Sequence, residues 1–416
     1  MGGDLWQAAV CHRDRLSGVP FIAVTGSCGK TTTKHLAAAI LSTVLPGTTS
    51  LGSGNCGDDL AATILRASPA DAFCLQELGA WGPGTLDAGL ELVQPSVGAV
   101  LNVRLDHLGA FHGLAATAAE KAKVVAALPA TGLAILNADD LLVREMRAAT
   151  TASVLTFGRT ADADLRATEI SATWPDRLTF TLTTAGATWP VKTRLVGEQG
   201  LGSALAAVAI GIGLGVPIAE AVAALASIEP PARRMTAVML PGDIVVVRDD
   251  FKAPSDSLSE VVAFLRSARA HRKILVVGRI SDHTGRSRPT YEHCAELSSG
   301  YVDELVFVGQ RPFDLWGGGR PPPAHSRVFL TVREAAQHLR ENLRAGDLVL
   351  LKGSGPVDHL ERVLLDLTVG VGCWSETCRR VIACDECELL RRSSGNHPRS
   401  QNPTGPAEQH RLQPLE

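Results

Sequence analysis

An α/β fold is what this sequence predicts: a phosphate-loop domain on a mostly parallel sheet, then a smaller α/β domain and a short cysteine-rich segment. Three observations carry that prediction. Apolar runs of strand length alternate with helix-period stretches from residue 20 to about residue 228, the signature of strands buried on both faces by crossover helices. A Pro-Pro break at 228–232 (Ile-Glu-Pro-Pro-Ala) is followed by a second series of the same kind. The 416 residues, 45% hydrophobic and 20% charged, supply enough apolar surface for two or three ordinary domains.

In chain order, residues 20–25 read as a buried strand that enters a Gly-containing turn and a helix near Lys30. Further strands are expected at 72–76, 97–102 and 133–136, each bounded by Gly, Pro, Asp or Asn, with a helix over 115–128. Residues 151–195 are Thr-rich, and short strands at 178–183 and 189–195 suit an antiparallel extension. The apolar run 204–218 contains Gly211, Gly213, Gly215 and Pro217, and meets Glu220 soon after. It is too short and too interrupted to span a bilayer, so a buried Ala-rich helix pair is expected. After the break come strands at 244–247, 273–277, 305–308 and 348–351, with a helix over 257–269. The implied divisions are a lead-in at 1–19, domains at 20–228 and 233–367, a cysteine segment at 368–390 and a tail at 391–416. That tail is rich in Ser, Asn, Pro, Gln and Arg and is expected to be disordered.

Composition narrows the function. A formal charge of −3 argues against a nucleic-acid partner, which calls for a clear excess of Lys and Arg. Nine cysteines, five of them scattered (Cys11, Cys28, Cys56, Cys74, Cys294), suit reduced thiols better than a disulfide scaffold. The opening Met-Gly-Gly-Asp-Leu-Trp has no basic region followed by an apolar stretch, so a cytoplasmic protein without membrane insertion is expected.

The chemistry-bearing motif is Val24-Thr-Gly-Ser-Cys-Gly-Lys-Thr-Thr-Thr33, set between the first strand and the first helix. Gly26 and Gly29 let backbone N–H groups of the loop, Gly26 through Thr32 with Ser27 and Cys28 between, point at a phosphate. Lys30 adds a charge and Thr31 a hydroxyl for Mg²⁺. Only two residues separate the glycines, where the general motif has four, with Val24 in place of a further Gly.

The shortened form Gly-x-x-Gly-Lys-Thr resembles the Mur ligases, with folylpolyglutamate and cyanophycin synthetases as relatives. The resemblance continues in order along the chain. Gln76-Glu-Leu-Gly-Ala80 is similar to the family's Glu-x-Gly-Ala, and Leu101-Asn-Val-Arg-Leu-Asp-His-Leu108 to its Asn-x-x-x-Asp-His-Leu. Ala134-Ile-Leu-Asn-Ala-Asp-Asp140, Leu195-Val-Gly197, Arg233-Arg-Met235 and Lys352-Gly-Ser354 resemble later family segments. The coverage is residues 20–366, and the details are nearest the D-alanyl-D-alanine-adding members.

That resemblance implies an ATP-dependent ligase joining a carboxylate to an amine through an acyl phosphate, with a Rossmann-like second domain. It implies Glu77 and His107, with Thr31, as Mg²⁺ ligands; taken alone, Glu77 reads as a helix cap and His107 as a surface histidine. It places a carbamylated lysine at Lys121, with Lys123 two residues on as the other register. Asn137 and Asp140 would hold the adenine or ribose, and Arg234 and Asp250 would reach the nucleotide from the hinge and second domain. Lys30, His107, Lys121 and Arg234 make up the implied catalytic set.

Three departures bear on the substrate. The family's N-terminal sugar-nucleotide domain has no counterpart in the 20 or so residues before the loop, so UDP-MurNAc binding in the usual way is not expected. Its Asp-Asp-x-Tyr-Asn-Ala-Asn-Pro segment is Asp249-Asp-Phe-Lys-Ala-Pro-Ser-Asp-Ser257, which alters the amine loop and introduces Lys252, either solvated or paired with an acidic group. Its late His-Asn is Gln199-Gly200. Small or peptide-like carboxylates and amines are therefore the expected substrates. Two other readings stay open: a catalytically weak ATP-binding subunit that meets a protein partner through its C-terminal segment, and a folate- or cyanophycin-type amino-acid ligase. Beyond the ligase-like part, Cys373, Cys378, Cys384 and Cys387 suit a structural zinc site, with unligated thiols as the other reading.

Overall fold

The computed structural model describes residues 2–391 apart from 185, 284–286, 311–314, 316–322, 356, 377, 379 and 381. The expected disordered tail lies outside the described residues except for Arg391. The first half of the chain runs α1 (Gly2–Asp14), β1 (Phe21–Thr25), α2 (Lys30–Leu41), β2 (Thr48–Thr49), α3 (Gly57–Arg66), β3 (Cys74–Glu77), α4 (Asp87–Val93) and β4 (Val97–Val100). It continues through α5 (Leu108–Phe111), α6 (Leu114–Ala126), β5 (Leu133–Asn137), α7 (Leu141–Glu145), β6 (Ser153–Gly158) and β7 (Leu165–Ser171). β8 (Thr179–Thr184), β9 (Ala187–Lys192), α8 (Leu201–Gly213) and α9 (Ile218–Leu225) complete it.

These strands form one nine-stranded sheet in the order β2-β3-β1-β4-β5-β6-β7-β8-β9. Pairing is parallel from β2 through β7 and antiparallel at β7/β8 and β8/β9. Both faces are covered, which is why β1 is buried along its whole length. Ile22 and Val24 pack into the core with α2 and α8, while Phe21 and Ala23 pack with α1, α3 and α4. The close approach of α2 and α8 depends on Gly211, where an added Cβ would lie 2.8 Å from Ile40 Cγ2. The apolar run 204–218 thus forms most of α8 and the turn into α9, which packs against α8, and among the described residues no helix is long and apolar enough to cross a membrane.

The second half runs β10 (Thr236–Leu240), β11 (Ile244–Asp249), α10 (Leu258–Ser267), β12 (Arg272–Val277), α11 (Arg288–Ser298), β13 (Glu304–Val308), β14 (Ser326–Phe329), α12 (Val332–Asn342), β15 (Asp347–Lys352) and α13 (Arg362–Thr368). Its sheet has the order β10-β11-β15-β12-β13-β14, parallel except for β10. Alternate residues of its central strands serve two cores, Val245, Val247, Leu275 and Val277 on one face and Val246, Ile274, Val276 and Val349 on the other.

The connections place the functional residues. β1 lies between β3 and β4, so the chain crosses in opposite directions on either side of its C-terminal end, and an open α/β sheet leaves its ligand crevice there. At the end of β5, Asp140 is built into the scaffold: Oδ1 accepts Val143 N at 3.2 Å, capping α7, and Oδ2 accepts Val103 N at 2.8 Å. Asp140→Ala is therefore expected to cost about 1–2 kcal/mol of stability, read as a lowered urea midpoint with an unchanged slope. An unchanged midpoint would show that neither bond supports the fold.

Candidate active site

The glycine-rich loop is held by Asn102, which leaves the end of β4. Asn102 Oδ1 accepts Cys28 N at 2.9 Å, its Nδ2 donates to Cys28 O at 3.2 Å, and its carbonyl accepts Ser27 N at 3.1 Å. Gly29, at φ 83°, turns the chain into α2 in a left-handed conformation that a side chain would strain, and Gly26 abuts Leu101, with an added Cβ 2.9 Å from Leu101 Cβ. Lys30 folds back so that Nζ donates to Gly26 O at 2.7 Å, and burial pulls its ammonium below the usual lysine range. Cys28, in the same loop, has its thiol pushed up to about 11 by burial, which favours the protonated form.

Beside the loop, Glu77 ends β3 fully buried. Its Oε1 accepts Asn55 Nδ2 at 3.1 Å, while Oε2 makes no hydrogen bond and lies 3.8 Å from Lys34 Nζ. Lys34 is itself tied to Ser50 O, Ser50 Oγ and Gly52 O at 2.9, 3.1 and 2.6 Å. An unsatisfied buried carboxylate oxygen beside a phosphate loop is a fitting cation ligand. On α6, Lys121 is fully buried and Nζ has no hydrogen-bond partner. Burial foremost, then the charge of Lys30, pushes it down to about 7. Lys123 instead points outward to Asp87 Oδ1 and Glu120 Oε2 at 2.6 and 2.9 Å. Of the two registers open in the sequence, only Lys121 faces the interior.

The two domains meet across this cleft. Arg234 Nη2 donates to Thr31 Oγ1 at 2.8 Å, with its guanidinium 4.0 Å from the Phe251 ring centre. Lys252 Nζ reaches Asp106 Oδ1 at 3.0 Å and Asp282 Oδ2 at 3.6 Å, and Asp282 Oδ1 accepts His107 N at 3.2 Å. Burial favours the neutral Asp106, but Lys252, His107 and Lys30 outweigh it and hold the carboxyl below its usual range. His107 Nε2 lies 3.6 Å from Asp106 Oδ1, and burial lowers its imidazole. The resulting cleft has a volume of about 1310 Å³ and is lined by the loop, Glu77, His107, Asn137, Arg234 and Lys252 among others.

Comparison with known proteins decides the family. Residues 24–211 match the Mur ligase middle domain, and residues 233–355 match the Mur ligase glutamate ligase domain. The UDP-N-acetylmuramoyl-tripeptide--D-alanyl-D-alanine ligase of Mycobacterium tuberculosis (strain CDC 1551 / Oshkosh) is 31% identical over 360 residues, covering 81% of this chain and 71% of that protein. The chain belongs to the Mur ligase family. Crystalline MurF from Acinetobacter baumannii superimposes with a TM-score of 0.78 at 26% identity, over 87% of this chain and 79% of that one. MurF from Thermotoga maritima, solved in complex with ADP, shares the fold with a TM-score of 0.75 at 21% identity, over 87% and 82%. Like the rest of the Mur ligases, the chain is an ATP-dependent ligase that forms amide bonds.

Not every residue singled out from the Mur ligase motifs sits as expected. Asn137 and Asp140 line the cleft, but their side chains already serve the fold, Asn137 Nδ2 donating to Leu101 O at 2.8 Å. Asp250 does not reach the cleft. It is fully buried, taking Arg248 Nη2 at 3.0 Å with Arg233 Nε at 3.5 Å, because successive residues leaving β11 face opposite ways; Asp249 and Phe251 line the cleft instead. The four-sulfur zinc site is likewise not assembled: among the described residues no three of Cys373, Cys378, Cys384 and Cys387 bring their sulfurs within 4.8 Å of one another. Cys384 turns into the second domain, where burial pushes its thiol up to about 12. Asn102, Asn55 and Lys34 were not singled out from the sequence. Asn102 belongs to the Asn-x-x-x-Asp-His-Leu segment, but nothing in its spacing to Cys28 signals the contact.

Lys121 carries a pH signature. The unfolded lysine holds its proton up to about 10.5 and the folded one only to about 7. Between those values the unfolded chain binds the extra proton, so this residue makes stability rise with pH, and its full penalty applies below about 7. Lys121→Met in CO₂-free buffer is expected to be more stable than wild type at pH 7, with the advantage shrinking towards pH 10. A pH-independent difference in urea midpoints would refute the buried, unpaired ammonium.

Proposed function

We propose that the chain activates the carboxylate of a small or peptide-like acid by phosphoryl transfer from ATP and joins it to an amine. The observation that carries the reading is the convergence of Lys30, Glu77, His107 and Arg234 on one interdomain cleft at the end of β1, with Lys121 buried behind it and electrostatically coupled to Lys30. The substrate carboxylate attacks the γ-phosphorus, the bond to the β-phosphate oxygen breaks, and ADP leaves. The amine then adds to the acyl phosphate carbonyl, loses a proton, and phosphate departs from the tetrahedral intermediate. Loop N–H groups and Lys30 stabilise charge on the transferring phosphoryl group, and Arg234, already seated on Thr31, keeps the hinge side closed. Closure excludes the water that would otherwise consume the acyl phosphate.

Thr31 Oγ1, Glu77 and His107 are the residues that would hold Mg²⁺, and the free Oε2 of Glu77 fits that use. Bound there, the ion would neutralise phosphate charge. Lys121 suits the carbamylated position that the family resemblance implies. Its amine is substantially neutral near pH 7, as attack on CO₂ requires, and the carbamate forms as the nitrogen gives up a proton. Domain limits at 228–233 and 367 fit this division of labour.

Two measurements test the reading. Lys30→Ala should lower substrate-dependent ADP release by about 10²–10³-fold with an unchanged circular dichroism spectrum. Full retention would misplace the nucleotide site. Absence of ADP release in wild type, across a library of carboxylates and amines read by product mass, would favour the partner-binding subunit instead. Lys121→Ala should lose activity that high formate or acetate partly restores, whereas Lys123→Ala, which breaks ion pairs to Asp87 and Glu120 outside the cleft lining, should keep it. The opposite pattern would shift the modified lysine by two residues.

A further inference from the structure

We propose that His359, Glu361 and Cys384 form a binding site for a zinc-class divalent metal ion that pins the cysteine-rich segment to the second domain. All three residues are buried, and their ligand atoms lie within 4.8 Å of one another. Cys384 Sγ is 3.5 Å from His359 Nδ1, and His359 Nδ1 is 3.8 Å from Glu361 Oε1. Tetrahedral zinc, with Zn–S of about 2.3 Å and Zn–N of about 2.0 Å, requires an S···N edge of about 3.5 Å. The sulfur–nitrogen edge already has that length, and the carboxylate needs a shift of a few tenths of an ångström.

The donors are a thiol, an imidazole and a carboxylate, the borderline set that zinc takes in preference to Mg²⁺ or Ca²⁺. The surroundings prepare each one. Glu361 is oriented by Cys384 N on Oε1 at 3.1 Å and by Arg233 Nη2 on Oε2 at 3.2 Å, which leaves one lone pair on Oε1 for a metal. Arg362 Nε donates to Cys384 Sγ at 3.2 Å, an outer contact that suits a metal-bound thiolate. His359 sits at φ 52°, a left-handed backbone held by the chain on either side. On binding, the ion replaces the thiol proton, which leaves to solvent; the sulfur–metal bond uses the electron pair released from S–H, and no oxidant or reductant is needed.

The segment also has reason to need a staple. Past α13 its only regular element among the described residues is a 3₁₀ turn at Cys384–Glu386, and its buried cluster is Leu365, Cys384 and Leu390 with Val371 alongside. Its polar anchors include Arg248 Nη1 to Asp385 Oδ2 at 2.7 Å and Arg362 Nη1 to Ser375 O at 2.8 Å. A core this small is ordinarily supplemented by a metal or a disulfide.

The test measures metal rather than activity. The full chain, purified without added metal, should carry about one zinc per molecule by elemental analysis. His359→Ala and Cys384→Ser should each reduce that content at least tenfold after dialysis, while Cys378→Ser keeps it. Replacing zinc with Co²⁺ in wild type should give tetrahedral visible bands with sulfur-to-cobalt charge transfer weaker than that of a four-thiolate site, a readout independent of how well any variant folds. A metal-free wild type that takes up no Co²⁺ would overturn the site. So would four-thiolate cobalt intensity, or loss of metal in Cys378→Ser with retention in His359→Ala.

Discussion

Two adjacent arginines at the junction of the domains organise the rest of the molecule. Arg233 is buried among the carboxylates of Asp250 and Glu361 in the second domain, and Arg234 crosses to the hydroxyl of Thr31 in the phosphate loop. Arg233 and Met235 both hold left-handed backbone, at φ 65° and 51°, and consecutive side chains can leave in such different directions because of it. The conformation is costly for residues with a Cβ and persists only where the surroundings over-determine it. Here a buried ion-pair network on one side and a helix N-terminus on the other do so. A guanidinium serves both ends well: it keeps its charge when buried and offers several donors in a fixed plane.

The same network links parts of the chain that are remote in sequence. Glu361 accepts from Arg233 and from the backbone of Cys384, and Arg248 joins Asp250 to Asp385. The cysteine-rich segment is therefore not an appendage beside the ligase-like domains. It docks onto the carboxylates that seat the hinge, and its position and the hinge arginine's share one buried residue. Removing one partner from such a network leaves an uncompensated buried charge, which costs more than the pair contributes.

Much of the fold was legible because strands buried on both faces must be continuously apolar. β1, β4, β5, β12, β13 and β15 were found within a few residues of their true ends on that ground. β6 (Ser-Val-Leu-Thr-Phe-Gly) and β7 (Leu-Arg-Ala-Thr-Glu-Ile-Ser) were not, because each mixes apolar with polar residues over a half-buried surface. α1 was missed because its apolar residues form no clear stripe, and it is placed by packing on α3. In the site, residue types in an ordered motif series were readable, and so was the choice between two lysine registers as a question. The answer was not, since burial of Lys121 against exposure of Lys123 depends on the angle at which α6 meets the sheet. Asp250 was misplaced for a similar reason: a motif names a position, and the face it presents is set by strand pairing.

Lys252 carries one more consequence. With its ammonium 3.0 Å from Asp106, the cleft arrives furnished with a primary amine of its own. A free amine seeking that carboxylate competes with a tethered rival whose effective concentration is on the order of millimolar or above. Weak, purely cationic molecules are thereby kept off Asp106. Displacing the resident ammonium takes a molecule that draws binding energy from elsewhere in the cleft, so the Lys252–Asp106 pair acts as a filter on what may approach that carboxylate.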